Sequence, residues 1–230
     1  TVLGVHGDGG MQEKITVPAD ILLKANNLSD SEMAIVEPLA IGAHAVRRAT
    51  IQKGEIVAVV GAGPIGIGIM KLAQIAGAKV IAIDMNQDRL TYAKEKIGVD
   101  YIVTAREEAV EEILKITNGD LCNAVFDASG NKYALEACPD YMSHGGRFVL
   151  LGLSKGELTY SHPKIHAKEI TLMCSRNATI EDFEHVISVL NQFPTESFIT
   201  HSVDFTEMIE NFDSWLDPKT GVIKATVSFN

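Results

Sequence analysis

Gly61, Gly63 and Gly66 stand at the spacing G-x-G-x-x-G, and Asp84 follows eighteen residues after the last of them. Glycines so spaced can bring backbone N–H groups up to a diphosphate. Gly61 permits a tight turn, Gly63 lets the main chain approach the anion, and Gly66 lets a following helix lie close to the preceding strand. Pro64 and Ile65 complete the motif between the second and third glycines. A carboxylate at Asp84 can accept both hydroxyls of a ribose and would repel a 2′-phosphate, which favours NAD over NADP, although Arg89 lies close by. No Lys-Ser or Lys-Thr follows the glycines, so this is not a P-loop.

The motif needs a strand before it and a helix after it. Ile56 to Val60 is a β-branched apolar run suited to a buried parallel strand. Helix-period apolar residues run from Ile69 through Leu72, Ala73 and Ala76 to a stop at Gly77, and Lys79 to Ile83 is a second strand ending on Asp84. Beyond it the pattern predicts a helix over 88–97 closed by Gly98, strands over 101–104 and 123–128, and a helix over 107–116. A helix over 132–142 is broken by Pro139, and strands over 146–151 and 169–174 follow. Such alternation means an α/β fold, a doubly wound parallel sheet of the Rossmann type. Ligands of these sheets bind beyond the carboxyl ends of the strands, which brings Ser129, Gly130, Gly152, Leu153 and Ser175 toward the cofactor.

The flanks read differently. Gly7 to Gly10 is turn chemistry, Gln12 to Val17 alternates like a strand up to Pro18, and Ile21 to Lys24 suits another short extended segment. Ser29 to Val36 suits a short helix, and Glu37-Pro38 would open a second one running through Arg47. At the other end, 180–190 suits a helix, 198–205 a strand, 205–216 a helix and 222–229 a terminal strand. His162 and His166 have the spacing of a helical metal pair, but Pro163 argues against a regular helix there and no carboxylate completes a triad.

At 230 residues and a net charge of −10, with acids and bases mixed, the chain has no basic stripe to offer nucleic acid. The three cysteines, Cys122, Cys138 and Cys174, form no C-x-x-C pair and suit buried free thiols in a reducing compartment. Neither a signal peptide nor a membrane span is legible, so a soluble cytoplasmic protein is expected.

Several local patterns coincide with one family. GVHGDGG (4–10), VEPLAIGAHAVRRA (36–49), KGEIVAVVGAGPIG (53–66), Asp84 with Arg89, and FDASG (126–130) together resemble the zinc-dependent medium-chain dehydrogenases, which include alcohol, sorbitol and threonine dehydrogenases. SRNATIEDF (175–183) and FITHSVDF (198–205) are most similar to the polyol, sugar-acid and threonine branches.

The resemblance implies a Rossmann domain over 39–175, flanked by parts of a mainly β, GroES-like catalytic domain over 1–38 and 176–230. It implies NAD and a catalytic zinc that lowers the pKa of a secondary alcohol on its way to a ketone. It also implies that the chain is a C-terminal fragment whose zinc ligands lie upstream, so that this stretch alone is inactive. On the same resemblance, Glu37 takes the place of a cysteine or glutamate on the zinc side, as a catalytic and metal-binding group; read alone it is a helix N-terminal acid. Ile65 would back the nicotinamide ring, Arg89 would contact the adenosine ribose, and Arg176 would lie near the nicotinamide end. A small-molecule alcohol substrate and a homodimer or homotetramer joined near the sixth strand complete the expectation. A zinc-free reductase of the same superfamily, a non-enzymatic nucleotide sensor and a methyltransferase using the same turn are the other classes the glycines allow.

Overall fold

The computed structural model describes residues 3–25 and 27–229, which form two compact units: residues 35–195, and the described residues of the two chain ends, those before 35 with 196–229. The larger unit holds a six-stranded sheet, built from β1 (Ile56–Val60), β2 (Lys79–Asp84), β3 (Tyr101–Thr104), β4 (Cys122–Asp127), β5 (Met142–Leu150) and β6 (Thr171–Cys174). All pairs are parallel and the order is β3-β2-β1-β4-β5-β6. The chain therefore leaves β1 toward one edge and returns to β4 on its other side, the reversal that opens a crevice beyond the strand ends.

Nine α-helices of the described residues accompany the strands: α1 (Asp30–Arg48), α2 (Pro64–Ile75), α3 (Gln87–Tyr92), α4 (Ala109–Ile116), α5 (Lys132–Ala137), α6 (His162–Ala167), α7 (Ile180–Val189), α8 (Thr195–Phe198) and α9 (Met208–Leu216). Their ends follow the local chemistry. Asn86 caps α3 by accepting from the Asp88 and Arg89 N–H groups at 2.9 and 3.2 Å, and Asn131 does the same for α5 at Tyr133 and Ala134. Past α3 the chain continues in one wider turn, Ala93–Ile97, and stops at Gly98, whose φ of +77° is a conformation glycine adopts without strain. The sheet is apolar on both faces. Val57, Val59, Ile81, Ile83, Val125 and Phe126 are all fully buried, each contributing roughly 1.5–3 kcal/mol of transfer free energy.

Four expectations are corrected. Residues 12–17 form no strand: they run as exposed irregular chain, since an alternating segment with no partner strand has nothing to satisfy its backbone. The segment expected to be extended over Ile21 to Lys24 opens differently: Ile21 closes a tight 3-10 turn with Ala19 and Asp20, and the chain is extended only from Leu22. The two short helices expected around Glu37-Pro38 are one helix, α1, with Pro38 inside it. The proline removes one N–H from the helical ladder, yet Ile35, Val36, Leu39 and Ala40 bury themselves on either side and hold the helix through it. Lastly, 162–167 is helical after all, because Pro163 falls in the first turn, where a missing N–H costs nothing.

The smaller unit holds β7 (Ile199–Asp204) and β8 (Lys224–Ser228), paired in parallel and joined through α9. Phe205 stacks on Phe229 with ring centroids 4.6 Å apart. No helix of the described residues is long and apolar enough to cross a membrane.

Candidate cofactor-binding site

β1 and β4 are neighbours, and the turns leaving them meet above the sheet. Gly61 has a φ of +100° and donates its N–H to the Ile83 carbonyl at 2.8 Å. A Cβ there would come within 2.9 Å of the Ser129 nitrogen, so the two turns are in contact. Gly66, in the first turn of α2, lies so close to the Gly61 carbonyl that any side chain would collide with it. Conformation and packing thus explain these two glycines.

Gly63 is different. It caps α2 with a φ of −80°, open to any residue, and a Cβ on it would meet no protein atom within 4 Å. Nothing in the fold requires glycine there. The space leaves room for a group that approaches the main chain from outside, at the end of a helix whose first N–H groups have no intrahelical partner. Pro64 opens α2 at a position where no N–H is needed, and Ile65 is half-buried beside it. The turn therefore fits a diphosphate.

Asp84 ends β2 and is fastened in place. Its Oδ2 accepts the Ala62 N–H at 2.7 Å and its Oδ1 accepts the Asn86 N–H at 2.8 Å. The acid is thereby set beside the glycine turn, with lone pairs left over for a ribose. Arg89 is half-buried on α3, one turn past Asn86.

The third part of the crevice comes from β4, β5 and β6. The Gly152 N–H donates to the Asp127 carbonyl at 3.0 Å, and a Cβ on Gly152 would collide with Gly130 and the Asp127 carboxylate. Leu153, just beyond, is 93% exposed at the rim. Ser175 donates its N–H to the Leu150 carbonyl at 2.9 Å; its buried Oγ has no protein partner. Arg176 is exposed immediately after it. The structure thus gathers Gly61, Gly63, Pro64, Ile65, Gly66, Asp84, Ser129 and Gly152 around one crevice, with Ser175 at the neighbouring strand end.

One participant was not singled out from sequence. Asp127 is fully buried at the end of β4, and its carboxylate accepts from the Ser129 hydroxyl at 2.5 Å and from the Ser129 and Gly130 N–H groups at 3.3 and 3.1 Å. Burial pushes this carboxyl up, against the pull of those hydrogen bonds. The signal was available: an acid closing an apolar strand and followed by Ser-Gly has to be buried or to bond the turn beyond it.

Glu37 is exposed on α1. Among the described residues no three His, Cys, Asp or Glu side chains come together as a metal site, so they do not assemble a zinc site of their own. His162 and His166 lie with ring centroids 5.5 Å apart but gather no third ligand of that kind. Cys122 and Cys138 are buried free thiols, whereas Cys174 is exposed on the edge strand β6, contrary to expectation. An open groove of about 290 Å³ on the helical side, lined by Ala43, Val46, Leu72 and Ile75, lies toward the far end of α2 from the glycine turn.

Comparison with known proteins gives the family. A family profile described as zinc-binding dehydrogenase matches residues 64–192. The chain is 37% identical over 231 residues to L-galactonate-5-dehydrogenase of Escherichia coli K12, covering 100% of this chain and 68% of the relative. It is 30% identical to a sorbitol dehydrogenase of Halalkalibacterium halodurans, over 89% of this chain and 62% of that one. Among solved structures, a protein from Escherichia coli CFT073 described as a short chain alcohol dehydrogenase, in complex with NADH, superposes with a TM-score of 0.91 at 29% identity, over 100% of this chain and 68% of that one. A 2R,3R-butanediol dehydrogenase from Bacillus subtilis gives 0.90 at 26% identity, over 99% and 67%. The chain spans about two thirds of the length of these relatives. It belongs to the zinc-binding dehydrogenase family, oxidoreductases whose cofactors are NAD and zinc.

Proposed function

We propose that this chain is the NAD-binding part of a zinc-dependent dehydrogenase that oxidises a secondary alcohol, in a polyol, sugar acid or hydroxy amino acid, to a ketone. The observation that carries the reading is Gly63, a glycine that neither backbone conformation nor protein packing requires, at a helix N-terminus beside Asp84. When bound, NAD supplies a hydride acceptor, so that the alcohol carbon loses a hydride and the hydroxyl loses a proton. The chain's own part is to hold and orient: the glycine turn takes the diphosphate, Asp84 the adenosine ribose, and Arg89 the same end. Ile65, Gly152 and Ser175 border the nicotinamide end. Glu37, exposed on α1, is a metal-side group in the assembled protein.

The names of the relatives, L-galactonate-5-dehydrogenase and sorbitol dehydrogenase, support a polyhydroxy substrate. Arg176, exposed past β6, suits a substrate carboxylate through a bidentate fork. We read 39–175 as the cofactor-binding domain and 1–38 with 176–230 as belonging to a catalytic domain. That both chain ends contribute to the smaller unit supports a split of this kind. A cytoplasmic homodimer joined along β6 completes the reading, because β6 is an edge strand with Leu172 52% exposed. Light scattering of the purified protein tests the dimer, and a monomer at micromolar concentration counts against it.

The deciding experiment is a substrate panel with the intact protein, following NADH formation with sugar acids, polyols, threonine and simple alcohols. Turnover of at least one polyhydroxy substrate with NAD is expected. Tight NADH binding with no oxidation of any secondary alcohol on the panel would sink the assignment, as would binding of S-adenosylmethionine in place of NADH.

A further inference from the structure

The turn after β4 is unusual in where it keeps its charge. Ser129 and Asn131 face solvent, yet the carboxylate that holds the turn, Asp127, is fully buried beneath them. Three donors converge on that carboxylate, the Ser129 N–H, the Ser129 hydroxyl and the Gly130 N–H, and the backbone carbonyl of the same residue accepts from Leu151 and Gly152 at 3.1 and 3.0 Å. One residue therefore ties the turn after β4 to the turn after β5. The first of these turns in turn presses on Gly61, where there is no room for a Cβ. Burying a carboxylate is expensive, and a solvent-facing turn does not need one to fold. Only an ionised carboxylate offers acceptors alone, enough for three converging donors, whereas an asparagine would turn an NH₂ group toward N–H groups.

We infer that Asp127 is a positioning residue for the cofactor: through its carboxylate and its carbonyl it holds the turns 128–131 and 151–153 against the glycine turn, so that the crevice stands preformed for the dinucleotide. The inference rests on the NAD-binding reading above, and on the geometry it adds one residue that does not itself face the cofactor. Bonds within the chain hold the turns, so their ordering does not have to be drawn from the cofactor's binding energy.

The test uses the intact protein with Asp127→Asn and, as a milder variant that keeps the carboxylate, Ser129→Ala. Three quantities are measured: NADH affinity by nicotinamide fluorescence, the Tm of the cofactor-free protein, and backbone hydrogen exchange over 128–131 and 151–153. Asp127→Asn is expected to weaken NADH by about tenfold or more, with a drop in Tm of only about a few degrees and faster exchange in both turns. Ser129→Ala should weaken it by about threefold. In turnover the loss falls on KM for NAD and not on kcat, since loosened turns bind poorly but hold the cofactor correctly once it is seated. A residue that merely supported the fold would instead lower Tm and kcat together and leave KM alone. Unchanged NADH affinity in both variants, or unchanged exchange in the two turns, overturns the inference. If the unsubstituted protein fails to bind NADH, the NAD reading itself is what fails, and the exchange of the cofactor-free protein still reports whether Asp127 holds the turns.

Discussion

The Asp84 carboxylate accepts the Ala62 backbone N–H at 2.7 Å, so the acid that ends β2 is bonded to the middle of the glycine turn. On the function proposed above, recognition of the ribose and shaping of the diphosphate turn would be joined in one side chain. Asp84→Ser should cut the preference for NADH over NADPH by about tenfold or more, because the carboxylate's repulsion of a 2′-phosphate disappears. It should also weaken NADH itself, because the turn loses a tether. Paired titrations of both cofactors check this, and an unaltered ratio of affinities would contradict it.

Gly63 and Gly66 belong to one motif but do different work. Gly66→Ala places a methyl group against the Gly61 carbonyl and should destabilise the fold by about 1–3 kcal/mol. Gly63→Ala meets no protein atom, so Tm should hold while NADH affinity falls by about tenfold or more. Thermal melts and NADH titrations of the two variants separate the roles. A Gly63→Ala protein that binds NADH normally would remove the main support for the diphosphate site.

Asp182 carries a pH signature. It is 1% exposed at the start of α7, bonded by Arg47 Nε and His44 Nδ1 from α1 at 2.8 Å each, and it closes a capping box with Thr179. Burial alone would raise its carboxyl, but Arg47, Thr179 and His44 hold it well below the ordinary carboxylate range. A depressed carboxyl stabilises the fold at pH values above its unfolded pKa, near about 3.9, and that contribution is lost as pH falls toward the folded value. Asp182→Ala should therefore cost about 2–4 kcal/mol at neutral pH, with the gap to the unsubstituted protein closing only below about pH 4. Denaturant melts across pH measure it; a gap that is constant down to acid pH would contradict the ion-pair account.

Arg176→Ala tests the substrate class. If the guanidinium pairs with a substrate carboxylate, kcat/KM for a sugar acid should drop by about tenfold or more while a neutral polyol is little affected. Equal losses on both would remove the carboxylate argument and leave the secondary alcohol alone.

The strand, glycine turn, helix, strand and acid between Ile56 and Asp84 were legible because each step is local. A β-branched run, a left-handed glycine and a helix stop declare themselves without reference to the rest of the chain. The parallel sheet followed from the alternation of strands and helices. Where local signals competed with burial they misled. Pro38 and Pro163 both suggested a break, but Ile35 and Leu39 are packed tightly enough to carry α1 through the first, and the second lies in a first turn. Residues 12–17 have the alternation of a strand and remain irregular, because pairing is a property of two segments and only one was in view.

What the sequence by itself determined is the cofactor motif and the architecture that carries it, since both rest on residue type and short-range spacing. Tertiary structure alone decided that Asp84 is bonded to Ala62, that Ser129 lies on Gly61, and that Asp127 joins the turns after β4 and β5. Those contacts join strand ends far apart in the chain, and only the order β3-β2-β1-β4-β5-β6 brings them to one crevice. It also decided that Gly63 has empty space where its neighbours Gly61 and Gly66 have protein, a difference no spacing rule contains.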